Sequence, residues 1–285
     1  MELEAIEASA AGTVQLGGDL EVRRLGFGAM RLTGDGIWGP PPDPERAKAV
    51  LRRAVDLGVN FIDTADSYGP EVSENLIAEA LHPYPGGLVI ATKGGLLRSG
   101  PGQWQRDCRP EHLREACEGS LRRLRLERLD LYQLHAVDPD VPIEDSVGAL
   151  AELREEGKIA HIGVSNTGES ELARARAVVP IVSVQNRYSL GDRASDPVLG
   201  ICEREGLAFI PWYPLGAGKM GGGPIERIAS ERGVTPFQVA LAWLLARSTA
   251  MLPIPGTSSI EHLEENVAAA SLRLSEDEVS ELAAI

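Results

Sequence analysis

Short apolar runs rich in β-branched residues alternate with segments of helical length along nearly the whole chain, and this alternation limits the fold more than any other feature. The runs fall at 24–29, 60–64, 88–92, 130–134, 160–164, 181–185, 207–211 and 251–254. The helical segments between and after them are 44–58, 72–81, 111–124, 143–156, 169–178, 197–205, the pair 224–232 and 236–247, and the closing pair 259–269 and 276–284. Strands that are apolar throughout are covered on both faces, and regular β-α alternation requires a parallel sheet. Eight repeats allow that sheet to close into a (β/α)8 TIM barrel, which takes about 250 residues. An open doubly wound sheet would carry GxGxxG after its first strand, whereas this chain reads GFGAM at 26–30. Gly26 and Gly28 suit a close backbone approach at the barrel mouth.

Before the first repeat, residues 13–22 place Gly17-Gly18-Asp19 between two apolar-bearing segments. This predicts a β-hairpin closing the barrel floor. Residues 1–12 are expected to be a flexible tail, and 13–285 a single domain. Asp43 and Pro44 suit the N-cap and first position of the first helix, and Gly157 and Gly206 suit helix ends.

A formal charge of −14 disfavours nucleic acid and anionic membranes as partners. Three cysteines with no CxxC exclude a disulfide scaffold and a zinc ribbon, leave no metal site in prospect, and fit a reducing cytoplasm. The acidic start MELEAIEASAAG lacks the basic flank and apolar core of a signal peptide.

Barrel enzymes work at the C-terminal ends of their strands. That rule selects Asp63, Lys93, His135, Ser165, Asn166, Gln185 and Trp212. Tyr68 follows Asp63 by five positions in the same loop. A lysine closing a buried strand needs a partner, because an unpaired ammonium is costly to bury. Asp63 would hold Lys93 charged, and the ammonium would lower the Tyr68 pKa from its usual value of about 10. His135 would orient a substrate oxygen. The group is equipped to protonate a carbonyl oxygen, and no side chain supplies a hydride, so a cofactor must.

GFGAMRL, FIDTADSYG, LVIATKGG, LDLYQLHAVD, GKIAHIGVSN, VQNRYSL, PWYPLGAG and PIPGTSS with HLEEN occur in one order over nearly the whole chain. In this the sequence resembles the aldo-keto reductases. The resemblance implies reduction of aldehydes or ketones with Tyr68 as general acid, Lys93 and Asp63 tuning it, and His135 positioning the carbonyl. It implies NADP(H) as cofactor, with NAD(H) possible. Gly28, Met30 and Asp63 would border the cofactor, Ser165, Asn166 and Gln185 would bond its carboxamide, and Trp212 would stack on the nicotinamide. Leu215, Gly216 and Gly218 would wrap the pyrophosphate, with Lys219 nearby. Gly256, Thr257, Ser258 and His262 would surround the 2′-phosphate, and Glu265 and Asn266 the adenine. Some relatives carry lysine or arginine where Gly256 and His262 stand. Here hydroxyls and a helix start would hold the phosphate instead.

Trp38 and Trp104, with Tyr68 and His135, are expected to line the substrate pocket. The pocket is expected to be open and tolerant of many aldehydes. A monomer or weak homo-oligomer is expected. Two rival readings are a cofactor-sensing regulatory subunit on the same fold and a Schiff-base aldolase using Lys93.

Overall fold

A computed structural model describes residues 6–216 and 223–284. A hairpin of β1 (Thr13–Leu16) and β2 (Leu20–Arg23) precedes the barrel. The barrel strands are β3 (Phe27–Gly28), β4 (Phe61–Asp63), β5 (Val89–Gly94), β8 (Leu129–Leu134), β9 (Ile159–Ser165), β10 (Ser183–Arg187) and β11 (Ala208–Trp212). They form one parallel sheet in the order β11-β10-β9-β8-β5-β4-β3. A second antiparallel hairpin, β6 (Leu96–Gly100) and β7 (Gln103–Arg106), rises from the end of β5. The helices are α1 (Pro44–Asp56), α2 (Val72–Leu81), α3 (Pro110–Leu124), α4 (Ile143–Glu155), α5 (Glu169–Val178), α6 (Asp196–Glu205), α7 (Pro224–Arg232), α8 (Pro236–Arg247), α9 (Ile260–Ala268) and α10 (Glu276–Ala283). The chain therefore folds as a (β/α)8 barrel with an N-terminal hairpin.

The expected eighth strand at 251–254 closes the barrel without forming a regular ladder. The Leu252 amide donates to Phe209 (2.8 Å), and the Gly26 amide donates to Pro253 (2.9 Å), so the segment bridges β11 and the approach to β3. Pro253 and Pro255 have no N–H to donate, which leaves only alternate bonds on this strand.

Residues alternate in and out along each strand, and this parity positions the site. Phe61, Val89, Ala91, Leu131, Ala208 and Ile210 point into the barrel, where they meet Leu16 and Val22 of the floor hairpin. Ile62, Ile90, Tyr132, Val164, Val184 and Phe209 point outward into the helix layer. Two residues above the inward apolar layer, the same parity brings Asp63, Lys93, Gln133, Ser165 and Gln185 to the axis. At the floor, Gly17 adopts φ +64°, and a Cβ there would lie 2.4 Å from the His161 ring. Glycine lets the hairpin turn seat against β9 without backbone strain or displacement of that ring.

The tail expected over 1–12 is held down in its second half. Ala8–Ala11 form a 3₁₀ turn with Ala8 and Ala11 buried, and the Ala8 amide donates to Leu57. Residues this small carry no readable periodicity but fit closely against a surface. Asp43 caps α1 by accepting from the Arg46 amide (3.0 Å). Among the described residues no helix is long and apolar enough to cross a membrane.

Candidate active site

At the C-terminal mouth lies an elongated cleft of about 610 Å³. Beneath it, Lys93 is wholly buried. Its ammonium donates to Asp63 Oδ2 (2.7 Å), the Thr64 carbonyl (2.7 Å) and Tyr68 Oη (3.4 Å). Those are three acceptors for three N–H groups. The Tyr68 oxygen therefore accepts from Lys93, and its own O–H is left to face the cleft. Asp63 Oδ1 accepts from Gln185 (2.7 Å) and Gln133 (3.3 Å). Both carboxylate oxygens are satisfied, as a buried charge requires.

Tyr68 is fixed by the start of α2. Its carbonyl accepts from the Ser73 amide (3.1 Å), and Thr64 donates to Ser73 Oγ (2.8 Å). One residue further along α2, Glu74 is wholly buried and accepts from Thr92 on β5 (2.6 Å) and Arg123 on α3 (2.6 Å). The loop bearing the phenol is thus tied to two neighbouring elements.

Burial raises the Tyr68 pKa, and it outweighs the ammonium beside it. The lowered phenol expected from the sequence is therefore reversed: loss of hydration at the hydroxyl exceeds the attraction of a cation at 3.4 Å. Burial opposes the charge on Lys93, yet Asp63 and Tyr68 together hold it above its usual range. Burial, then the Lys93 charge, push His135 well below the usual imidazole value, so its ring is neutral. Ser67 Oγ lies 3.4 Å from His135 Nδ1. A wholly buried lysine whose amine already makes three hydrogen bonds is poorly placed to serve as the Schiff-base nucleophile of an aldolase.

The cleft brings together most of the residues expected at it. Asp63, Tyr68, Trp104, His135, Ser165, Asn166, Gln185 and Trp212 line its central part. Gly28, Met30, Leu215, Gly256, Thr257, His262, Glu265 and Asn266 line the rest. Asn166 adopts φ +58° and donates to the His135 carbonyl and Ser165 Oγ, both at 3.0 Å. The Trp212 indole N–H donates to Asn166 Oδ1 (3.0 Å). Gln185 gives its amide N–H to Asp63 (2.7 Å), a use the sequence did not suggest.

Three expected residues stand elsewhere. Trp38 pairs with Gly69 and stacks near Arg98, and Ile37 takes its place in the cleft. The reason is backbone: Gly36 and Ile37 both adopt positive φ (+68° and +57°) and reverse the chain there. Ser258 is exposed beside the cleft, while Ser259 caps α9 by accepting from the His262 amide. Gly216 closes a turn by donating to Tyr213 (3.0 Å) and does not line the cleft. Gly218 and Lys219 lie outside the described residues.

Gly28 and Gly256 are explained by strand contact. A Cβ at Gly28 would lie 2.7 Å from the Ile254 carbonyl, and one at Gly256 would lie 2.5 Å from the Gly28 carbonyl.

The sequence reading missed Gln133, Arg31, Ile37, Leu96 and Tyr213. Gln133 was legible by parity, two residues before His135. Arg31 follows Met30 in the 3₁₀ turn Ala29–Leu32 after β3, is exposed, and lines the cleft near Gly256.

Comparison with known proteins gives the family. The model of the aldo/keto reductase family matches residues 24–224 and 221–285. An uncharacterized oxidoreductase of Schizosaccharomyces pombe is 50% identical over 280 residues, 98% of this chain and 91% of its own. The pyridoxine 4-dehydrogenase of Escherichia coli is 44% identical over 272 residues, 93% of this chain and 95% of its own. Among solved structures, an aldo/keto reductase from Klebsiella pneumoniae in complex with NADP and acetate superimposes with a TM-score of 0.81 at 29% identity, covering 95% of this chain and 93% of that one. The chain belongs to the aldo/keto reductase family.

Proposed function

We propose that the protein is an NADPH-dependent reductase of aldehydes and ketones. The observation carrying this reading is the hydrogen-bonded line from Asp63 through Lys93 to Tyr68 Oη, with the phenolic O–H left free to face the cleft. The donor set of the cleft suits a dinucleotide. Neutral amides and hydroxyls (Ser165, Asn166, Gln185) sit beside a half-buried indole at its centre, and Arg31, Thr257, His262 and the N-terminus of α9 stand at its far end. The Klebsiella relative crystallised with NADP lends support.

When bound, the dihydronicotinamide supplies a hydride to the carbonyl carbon. Tyr68 hands its proton to the carbonyl oxygen, and the phenolate left behind is stabilised by the Lys93 ammonium. Asp63, held by Gln133 and Gln185, keeps that ammonium in place. His135 is neutral; in the tautomer that carries its proton on Nε2, Nδ1 would accept from the Ser67 hydroxyl 3.4 Å away and Nε2–H would donate to the substrate oxygen. The Escherichia coli relative's name makes pyridoxine and its aldehyde, pyridoxal, the first substrates to try. The test is cofactor oxidation with NADPH and NADH across aldehydes, ketones and sugars; no carbonyl-dependent oxidation with either cofactor would refute the reading.

Arg31 is the side chain we assign to the 2′-phosphate. It is an exposed cation in the cleft, and no carboxylate pairs with it among the described residues. Replacing Arg31 with alanine is expected to weaken NADPH about tenfold, the value of one charge-assisted contact, while changing NADH less than about twofold. His262→Ala is expected to act in the same direction. Titration of each variant with both cofactors measures this; equal losses for NADPH and NADH would remove these residues from the 2′-phosphate site.

A further inference from the structure

Five backbone carbonyls converge on one guanidinium beside the cleft. Arg98 in β6 donates from Nε to Gln103 (2.9 Å), from Nη1 to Ile37 (2.7 Å) and Ser67 (3.2 Å), and from Nη2 to Gly36 (2.8 Å) and Gly100 (3.3 Å). A guanidinium has five N–H donors, so none remains. Among the described residues no carboxylate pairs with it, and partial burial lowers its pKa. This cation is spent entirely on backbone.

The acceptors belong to three separate segments. Gly36 and Ile37 lie in the loop after β3, Ser67 adjoins Tyr68, and Gly100 and Gln103 flank the turn of the β6–β7 hairpin. The guanidinium also stacks 3.8 Å from the ring centre of Trp104, its partner across the hairpin. The other side of the arrangement meets the reaction centre, since the Trp104 ring stands edge-on to His135 at 6.4 Å. A second observation points the same way. Ile37 is β-branched yet adopts φ +57°, a strained conformation that the surroundings must enforce. Its carbonyl and that of Gly36 are the two closest acceptors on the Arg98 terminal nitrogens.

We infer that Arg98 is the positioning residue for the wall of the substrate site. It holds Ile37 and Trp104 in register with Tyr68 and His135, and so governs carbonyl compounds whose bodies extend beyond the reacting group. This rests on the reductase reading above. Arg98 acts through its neighbours, because no donor is left for substrate. Lysine, with three donors and no planar face, cannot replace it.

The test uses Arg98→Ala and Arg98→Lys. On the protein alone, both variants lose a near-ultraviolet circular dichroism signal, and the loss shrinks when Trp104 is already phenylalanine, the remainder reporting on Trp38 in the loop that Arg98 also holds. With NADPH, KM for benzaldehyde rises about tenfold or more, KM for acetaldehyde changes less than about twofold, and kcat falls less than about threefold. Affinity for NADPH is unchanged. The inference is overturned if the dichroism is unaltered, if both aldehydes lose equally, or if NADPH weakens in parallel. The dichroism measurement needs no turnover, so failure of the reductase reading, seen as wild-type protein that oxidises no NADPH, is distinguished from failure of this one.

Discussion

Tyr68→Phe is expected to lower the turnover of carbonyl reduction about 100-fold or more, as for loss of a general acid. NADPH affinity is expected to stay within about twofold of wild type, because the hydroxyl removed faces substrate. The ring of Tyr68 is buried and packs edge-on to His135 at 5.8 Å, contacts that phenylalanine keeps. Among the described residues, the one protein hydrogen bond lost is that from Lys93 at 3.4 Å, the longest of its three. Stability should therefore change little, and the defect should lie in the chemical step. Steady-state kinetics with direct cofactor titration separates the two; a variant with near-normal turnover would remove Tyr68 from its role.

Lys93→Met is expected to cost both activity and stability. Asp63 would keep its two glutamine donors but lose the one cation that pairs with it among the described residues, within a buried site. Removing one partner of such a pair costs about 3–5 kcal/mol, because the remaining charge is uncompensated. Pairing Lys93→Met with Asp63→Asn removes that charge and should restore most of the stability. Turnover should stay at least about 100-fold down in the double variant, since nothing then stabilises the phenolate. Urea denaturation and turnover measured on both variants provide the check. A double variant that regained activity along with stability would assign Lys93 a purely structural part.

Much of the site was legible because strand parity and strand ends are sequence properties. Asp63, Lys93 and His135 end buried strands on the inward phase, and Gln133 lay on that phase two residues before His135. The β6–β7 hairpin also had a signal, since Pro101-Gly102 interrupts the alternating LLRSG and QWQR segments. The positions of Ile37 and Trp38 were not legible, because a left-handed backbone at a β-branched residue contradicts local preference and depends on Arg98, sixty-one residues away. Arg31 was missed because its neighbours across the cleft come from the far end of the chain. The Tyr68 pKa was misjudged in sign because a sequence names the nearby cation but not the depth of burial that opposes it. The last strand kept its place but lost its ladder to two prolines whose spacing was visible from the start.

The central claim is that the Tyr68 phenol, protonated at neutral pH, delivers its proton as hydride reaches the carbonyl. Its most direct test is the single-turnover rate of NADPH oxidation by an aldehyde as a function of pH. Burial raises the pKa of the acid, so the protonated form persists through neutrality and is lost only as pH rises through the raised value. The rate is expected to be level across neutrality and to fall only above about pH 10, with that limb absent in Tyr68→Phe. A limb near neutrality, or an alkaline limb that survives in Tyr68→Phe, would contradict the account.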